Sequence, residues 1–160
     1  MNRKLAFFTL LLITGCGTDG NEGTLVSVPL GETRLTGAYT LVDYLIEYGD
    51  GTRYDPSILK LAGTLAIGAD SSYRESIRIG SVSSPTSGKI VQIKTANGKD
   101  EGELLLTRVS GDTTTSHPVS FSFRNDTLVL VTEVSAENPD PKKGFRETDY
   151  FLPDSLISVP

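Results

Sequence analysis

The sequence predicts an all-β protein whose folded part is an eight-stranded antiparallel up-and-down barrel. Two observations lead to this fold class. Beyond the first 15 residues no stretch shows a sustained helical period, and short apolar runs alternate instead with turn residues such as Gly, Asn, Asp and Ser. Eight such runs occur, and tight turns join most of them, which favours antiparallel pairing between consecutive strands.

Each of the eight runs is predicted to form one strand, ended by residues that favour turns. Asn97-Gly98 is a strong hairpin signal, and Asn125-Asp126-Thr127 is a second turn. The predicted strands are residues 35–48, 60–67, 73–79, 89–96, 103–109, 117–124, 128–134 and 145–151. The alternation in the first strand predicts one face formed by Thr40, Val42, Tyr44, Ile46 and Tyr48.

The connections decide between two all-β architectures. Asp55 before Pro56 predicts a single helical turn at residues 55–59, and loops are predicted at 81–88 and 135–144. A two-sheet sandwich is the alternative to the barrel, but sandwiches usually need long crossovers, and only those two loops could provide them. A meander that pairs its last strand with its first hides both edges, so the sequence favours the barrel.

The N-terminus has the pattern of a secretory signal that is removed after residue 15. Arg3 and Lys4 precede an apolar run that is too short to span a bilayer, and small residues follow it. Ile13-Thr14-Gly15-Cys16 resembles the lipobox of bacterial lipoproteins. That resemblance implies acylation of Cys16, and Gly17 in the place of Asp implies the outer membrane, with the domain facing the periplasm. Cys16 is the only cysteine, so no disulfide competes for it.

Charge and composition set the remaining boundaries of the chain. Of the 15 Lys and Arg residues two lie in the leader, whereas all 20 Asp and Glu residues follow it, so the mature chain carries about −7. Such a charge argues against nucleic acid as a partner. The expected organisation is a signal peptide at 1–15, the lipidated cysteine and a flexible tether at 16–32, the barrel at 33–152 and a tail at 153–160 along the surface.

Three segments resemble lipocalin-like domains of bacterial lipoproteins. Residues 35–41 (LTGAYTL) resemble the opening of those domains, with Tyr39 in the place of their tryptophan, and residues 63–67 and 121–130 resemble their second and late hairpins. Thr148-Asp149-Tyr150 also matches a lipocalin tripeptide, but it lies in the last strand, and we interpret that match as chance. The resemblance implies that Arg146 closes the base of the barrel by stacking on Tyr39; the alternative is that Arg146 faces solvent.

The sequence contains no pattern of residues that is typical of a catalytic or metal-binding site. His117 is the only histidine, no G-x-S-x-G motif accompanies it, and we expect it in an exposed turn. Asp50, Thr52 and Asp55 lack calcium-binding spacing and predict an Asx-stabilised turn. We therefore expect no enzyme activity, no cofactor and no metal.

The expected function is that of a lipid-anchored envelope protein that binds a small, partly apolar molecule in its barrel. The aromatic residues expected to line a cavity are Tyr39, Tyr73, Phe121, Phe123 and Tyr150. Polar residues on both faces of the third and eighth predicted strands, namely Arg74, Glu75, Arg146 and Glu147, predict that one end of the interior is not purely apolar. The alternative is a filled barrel with a structural or protein-interaction role in the envelope, since eight strands enclose either packed side chains or one small ligand.

Overall fold

The chain folds into a closed eight-stranded antiparallel barrel, as the sequence predicts. A computed structural model describes residues 25–54, 60–95, 100–110, 113–134 and 144–157. The strands of the described residues are, in chain order, β1 (Val26–Ser27), β2 (Gly37–Tyr48), β3 (Arg53–Tyr54), β4 (Leu61–Ile67), β5 (Ser72–Ile79), β6 (Val82–Thr95), β7 (Glu101–Ser110), β8 (Thr113–Arg124), β9 (Thr127–Val134) and β10 (Phe145–Pro153). Eight of them form the barrel, and β1 and β3 are short additions to it.

Closure of the barrel depends on the pairing between its first and last strands. Consecutive strands from β4 to β10 pair antiparallel, β2 pairs with β4, and β10 pairs with β2 from Phe145 opposite Tyr48 to Pro153 opposite Tyr39. Among the described residues, each of the eight barrel strands pairs with one neighbour on either side over at least part of its length, which is how a meander avoids leaving an edge strand. β1 adds to β6 and β3 adds to β2 on the outside of this ring.

A β-bulge in β2 changes which side chains face the interior. Tyr150 pairs with Asp43 and Phe151 with Leu41, so Val42 is the extra residue. Tyr39 and Leu41 are buried before the bulge and Tyr44 after it, whereas Val42 is 46% exposed. The predicted single face from Thr40 to Tyr48 is therefore wrong before the bulge, because one inserted residue reverses the alternation.

The Ser-rich segment at 81–88 is not a loop but the first half of β6. Residues 82–89 pair with β5 along its whole length, and this makes β6 the longest strand, with 14 residues. Serine and threonine hydrogen-bond well enough in turns to suggest a loop, but the continuous pairing with β5 overrides that local preference. The predicted helical turn at 55–59 lies outside the described residues.

The N-terminal segment closes one end of the barrel, which we call the closed end. Val26 pairs with Thr95, a 3-10 turn follows at Leu30–Glu32, and both Leu30 and Leu35 are buried. The predicted flexible tether to residue 32 thus ends earlier, because these two leucines bury their side chains in the core. At the C-terminus, the Asp154 carboxylate accepts a hydrogen bond of 2.8 Å from Thr40, and the exposed Leu156 follows along the surface.

The packed core lies in the half of the barrel next to the closed end. Its largest fully buried side chains are Leu35, Leu104, Leu128 and Phe151. Side chains from every barrel strand contribute to one apolar cluster, which excludes water from this half. Within the described ranges, no helix combines the length and the apolar character needed to cross a bilayer.

Candidate ligand cavity

The half of the barrel away from the closed end contains a cavity of about 430 Å³. Its walls come from the inward positions of the strands next to the β5–β6 and β7–β8 turns. Thr86 of β6, His117 of β8 and Thr132 of β9 lie on three of its sides. Below them, Leu106, Val119 and Leu130 separate the cavity from the packed core. The interior is therefore filled at one end and hollow at the other.

Three carboxyl groups line the cavity. Glu147 and Asp149 are two residues apart on β10, so the alternation of the strand directs both inwards. Glu75 reaches the same space from β5, where it lies two residues after the buried Tyr73 and on the same face of the strand. Glu75 and Glu147 confirm that one end of the interior is not purely apolar.

Burial and mutual repulsion raise the pKa values of two of these carboxyl groups, those of Asp149 and Glu75. Removal from water raises the pKa of Asp149 to about 9, with further contributions from the negative charges of Glu147 and Glu75. Burial also raises the pKa of Glu75 to about 7, helped by Glu147 and opposed by Arg108. The cavity thus concentrates more negative charge than it can keep ionised at neutral pH.

The positive charge facing this cluster is small. Arg108 is exposed at the rim and donates a hydrogen bond of 2.8 Å to the Thr86 hydroxyl. Burial, together with the nearby Arg108, lowers the pKa of His117, so this imidazole is neutral at pH 7. Tyr44 hydrogen-bonds Glu147, and burial followed by the charge of Glu147 raises the pKa of its phenol. One guanidinium therefore faces three carboxyl groups.

Two polar atoms in the cavity wall have no hydrogen-bond partner among the described residues. They are the hydroxyl oxygen of Tyr73, a residue only 4% exposed, and Oδ1 of Asp149, a residue only 6% exposed. A buried polar group without a partner costs about 1–3 kcal/mol. Both residues line the cavity, so a molecule inside it could relieve that cost.

Of the five aromatic residues predicted to line a cavity, the structure places only Tyr73 there. Tyr39 and Phe121 are buried in the packed core at the closed end, and Phe123 packs against its edge. Tyr150 stands opposite Val129 on β9 and alternates with the inward Asp149 and Phe151, so it lies on the outer face. Sequence alternation identifies inward aromatics but not their depth in the barrel.

The predicted stack of Arg146 on Tyr39 is wrong. Arg146 pairs with Glu47 in the β2 register and forms an exposed ion pair of 3.7 Å with Glu133, whereas Tyr39 lies opposite Pro153. The two residues occupy distant parts of the same strand pair, so Arg146 faces solvent.

Arg34, not Arg146, makes a cation–π contact at the closed end, and its aromatic partner is Phe123 and not Tyr39. Its guanidinium lies 4.8 Å from the centre of the Phe123 ring and 2.7 Å from the Asp126 carboxylate. The Tyr39 hydroxyl lies 2.9 Å from the carbonyl oxygen of Arg34 and 3.0 Å from that of Leu35 and donates to this pair. The closed end is thus fastened by the residues that lead into β2, at the start of the predicted barrel.

The prediction of an exposed turn for His117 is also wrong. His117 lies inside β8, opposite Leu106 of β7, and it lines the cavity. The strand predicted at 117–124 already begins at His117, and Val119 and Phe121 continue the inward face on which this residue lies. The Asx turn is confirmed at Asp50, whose Oδ1 accepts a hydrogen bond of 2.9 Å from the Thr52 amide. Cys16 and the signal segment lie outside the described residues.

The arrangement suits binding better than metal coordination. Among the described residues, no three His, Cys, Asp or Glu side chains come close enough together to hold a metal ion. The chain as a whole matches no known protein-family model, and no curated protein and no solved structure is significantly similar to it. Its function is therefore argued from its own residues.

Proposed function

We propose that this protein is a lipid-anchored envelope lipoprotein whose barrel binds a small, partly apolar molecule without transforming it. The observation that carries this proposal is the cavity of about 430 Å³ in one half of the barrel. Ligand sites in proteins commonly enclose about 300–1,000 Å³. An eight-stranded barrel has room for one small ligand when its side chains do not fill it.

The lining of the cavity supports a ligand that is apolar in part. Ile77, Leu106, Val119 and Leu130 offer aliphatic surface, while carboxyl, hydroxyl and imidazole groups stand among them. Apolar walls with a few placed polar groups are typical of small-molecule sites. No described arrangement activates a nucleophile, since the one histidine has no Ser, Thr or Cys hydrogen-bonded to it among the described contacts.

The anchor is supported by the sequence of the leader and by the geometry of the segment that follows it. Cys16 is preceded by a lipobox-like tripeptide, and nine residues later Leu25 begins the described chain beside the closed end. More than one acyl chain is needed for stable attachment to a membrane, and lipoprotein modification provides that. We propose the outer membrane as the location, with the barrel in the periplasm.

The filled-barrel alternative is disfavoured by the same cavity. A purely structural barrel gains stability from packing its interior, whereas this one keeps a hollow half with two unpartnered polar atoms. The large exposed apolar residues occur on several strands, among them Val42 on β2, Val91 on β6 and Val134 on β9, and at both ends of the described chain, at Leu25–Val26 and Leu156–Ile157. Scattered apolar residues of this kind are normal on monomeric proteins.

Binding can be tested with N-phenyl-1-naphthylamine, a neutral dye that fluoresces in apolar surroundings. The full-length chain with Cys16→Ala should bind the dye, and Thr86→Trp should abolish binding because Thr86 lines the cavity. The matched control is Ser87→Trp on the exposed outer face of the same strand. The proposal fails if the dye does not bind, or if both tryptophan variants bind it equally well.

The anchor can be tested separately in cells. Metabolic labelling with palmitate should mark the wild-type protein, and Cys16→Ala should remove both the label and the sedimentation with membranes. An unlabelled wild-type protein would refute acylation while leaving the ligand-binding proposal standing.

A further inference from the structure

We infer that the ligand is an organic cation: an ammonium group on an apolar body, with the positive charge held between Glu75, Glu147 and Asp149. This inference rests on the proposed binding function and names the chemical class of the molecule bound. It is carried by the charges that meet inside the barrel and by two polar atoms that the protein leaves without partners.

The charge balance in the cavity points to a positive ligand. Three carboxyl groups line it, and the only fixed positive charge among its described lining residues is Arg108. Arg108 is exposed at the rim and already donates to Thr86, so it does not neutralise the carboxyl group of Asp149 deeper inside. A cation at this depth would allow the carboxyl groups to ionise together, since buried charges are stable only when paired.

The unpartnered atoms give an independent indication of where the ligand sits. Asp149 is 6% exposed, and its Oδ1 accepts no hydrogen bond from any described residue. Tyr73 is 4% exposed, and its hydroxyl group likewise has no hydrogen-bond partner among the described residues. Most buried polar atoms in folded proteins have a partner, so these two mark the part of the cavity wall against which the charged group of a bound molecule would lie.

The aromatic rings beside the carboxyl groups favour the same class of ligand. Tyr44 and Tyr73 both line the cavity on the side of Glu147 and Glu75. The negative face of an aromatic ring attracts a cation and contributes about 0.5–2 kcal/mol, depending on how far the cation is removed from water. Carboxylates together with aromatic rings suit an ammonium group.

A metal ion and an anion fit the site less well. The three carboxyl groups do not come close enough to coordinate one metal ion together, which leaves a larger organic cation as the better occupant. An anion would have only Arg108 to bind and would meet the repulsion of the three carboxyl groups. The aliphatic wall formed by Ile77, Leu106 and Leu130 provides a surface for the apolar body.

The inference can be tested by calorimetry with three probes of similar size, using the full-length chain with Cys16→Ala. The probes are benzyltrimethylammonium, its neutral carbon isostere neopentylbenzene, and phenylacetate. The cation should bind at least about tenfold more tightly than either other probe, because only the cation pairs with the buried carboxyl groups. The permanent charge of this probe keeps its own protonation out of the measurement.

Substitutions of the carboxyl groups show which of them contribute to the affinity for the cation. Asp149→Asn and Glu75→Gln should each weaken binding of the cation by about tenfold or more while leaving binding of neopentylbenzene unchanged. Glu103→Gln removes one carboxylate from the exposed outer face of β7 and is the matched control, expected to bind the cation like the parent chain. Circular dichroism should show that all three variants remain folded.

The outcomes separate this inference from the proposed function. If neopentylbenzene or phenylacetate binds as tightly as the cation, or if Asp149→Asn and Glu75→Gln bind the cation unchanged, the inference is wrong and the binding function remains. If neither these probes nor N-phenyl-1-naphthylamine binds, the proposed function itself fails. If calcium or magnesium displaces the cation at micromolar concentration, the site is a metal site and the inference is also overturned.

Discussion

Replacing Asp149 with asparagine should stabilise the empty barrel at neutral pH. The carboxyl group of Asp149 is buried in the cavity wall, and its pKa rises from 3.8 to about 9 on folding. At pH 7 the folded protein therefore holds a proton on Asp149 that the unfolded chain has released. Asparagine has nearly the same shape and no charge to remove from water, so it avoids this cost.

The size of the effect follows from the linkage between proton binding and folding. Each pH unit between the unfolded and folded pKa values changes the free energy of unfolding by about 1.4 kcal/mol. Stability associated with Asp149 is complete below pH 3.8 and is lost as the pH rises to about 9, because the folded state binds more protons than the unfolded state. The asparagine variant should match the parent near pH 4 and exceed it by up to about 4 kcal/mol at pH 7.

The assay is urea-induced unfolding followed by circular dichroism at pH 4, 5.5, 7 and 8.5. The difference between Asp149→Asn and the parent should grow with pH, whereas Glu103→Gln on the outer face should show no such trend. A variant that is less stable than the parent at pH 7 would refute the reasoning, because it would mean that Asp149 is ionised and has a stabilising partner. A difference that is constant across pH would refute the raised pKa.

Three further predictions concern close strand contacts, the closed end and proton competition. Gly88→Ala should lower the free energy of unfolding by at least about 2 kcal/mol in urea titrations, because an added Cβ would overlap with the Thr107 carbonyl oxygen. Gly31→Ala, where an added Cβ has no atom within 4 Å, should be neutral or slightly stabilising, and equal effects of the two substitutions would contradict this. A double-mutant cycle with Arg34→Ala and Phe123→Ala should give a coupling energy of about 0.5–1 kcal/mol, and strictly additive losses of stability would exclude the stack. Arg146→Ala is the control, because the Arg146 side chain is about as exposed as that of Arg34, and it should leave the free energy of unfolding almost unchanged. Calorimetric affinity for benzyltrimethylammonium should rise from pH 6 to pH 9 by up to about tenfold per unit, because the cation and the proton compete for the same carboxyl groups, and an affinity that falls over this range would contradict that competition.

The number and order of the strands could be predicted from the sequence because turn residues and period-2 alternation are local signals. The charged residues on both faces of the third and eighth predicted strands could show that one end of the interior is partly polar, but not which of these residues face inwards. Closure could be anticipated from the lack of any other partner for the terminal strands, and the β2–β10 register confirms it.

What could not be predicted depends on pairing between distant strands. The bulge at Val42 arises from the register with β10, and no local signal in β2 marks it. The strand at 82–88 exists because β5 supplies a complete set of partners for a polar sequence. Arg34 could not be assigned to the closed end because its position depends on Leu30 and Leu35 burying themselves in the core.

Asp149 could not be identified from the sequence, in which its tripeptide only matches a lipocalin motif at the wrong position. Its significance comes from burial beside Glu75, which lies on a strand separated from it by β2 and β4. Depth within the barrel, and hence the difference between the packed aromatics and Tyr73, is likewise a property of the assembled ring of strands.

The strand β1 fixes how the protein would stand on a membrane. Val26 joins β6 at Thr95, and the hollow half begins at the opposite end of that strand, near Val82. With lipid on Cys16, the nine residues to Leu25 span at most about 30 Å, so the sealed base is tied towards the bilayer and the mouth opens away from it. Under the proposed anchoring, a ligand would then enter the cavity from the aqueous phase and not from the bilayer.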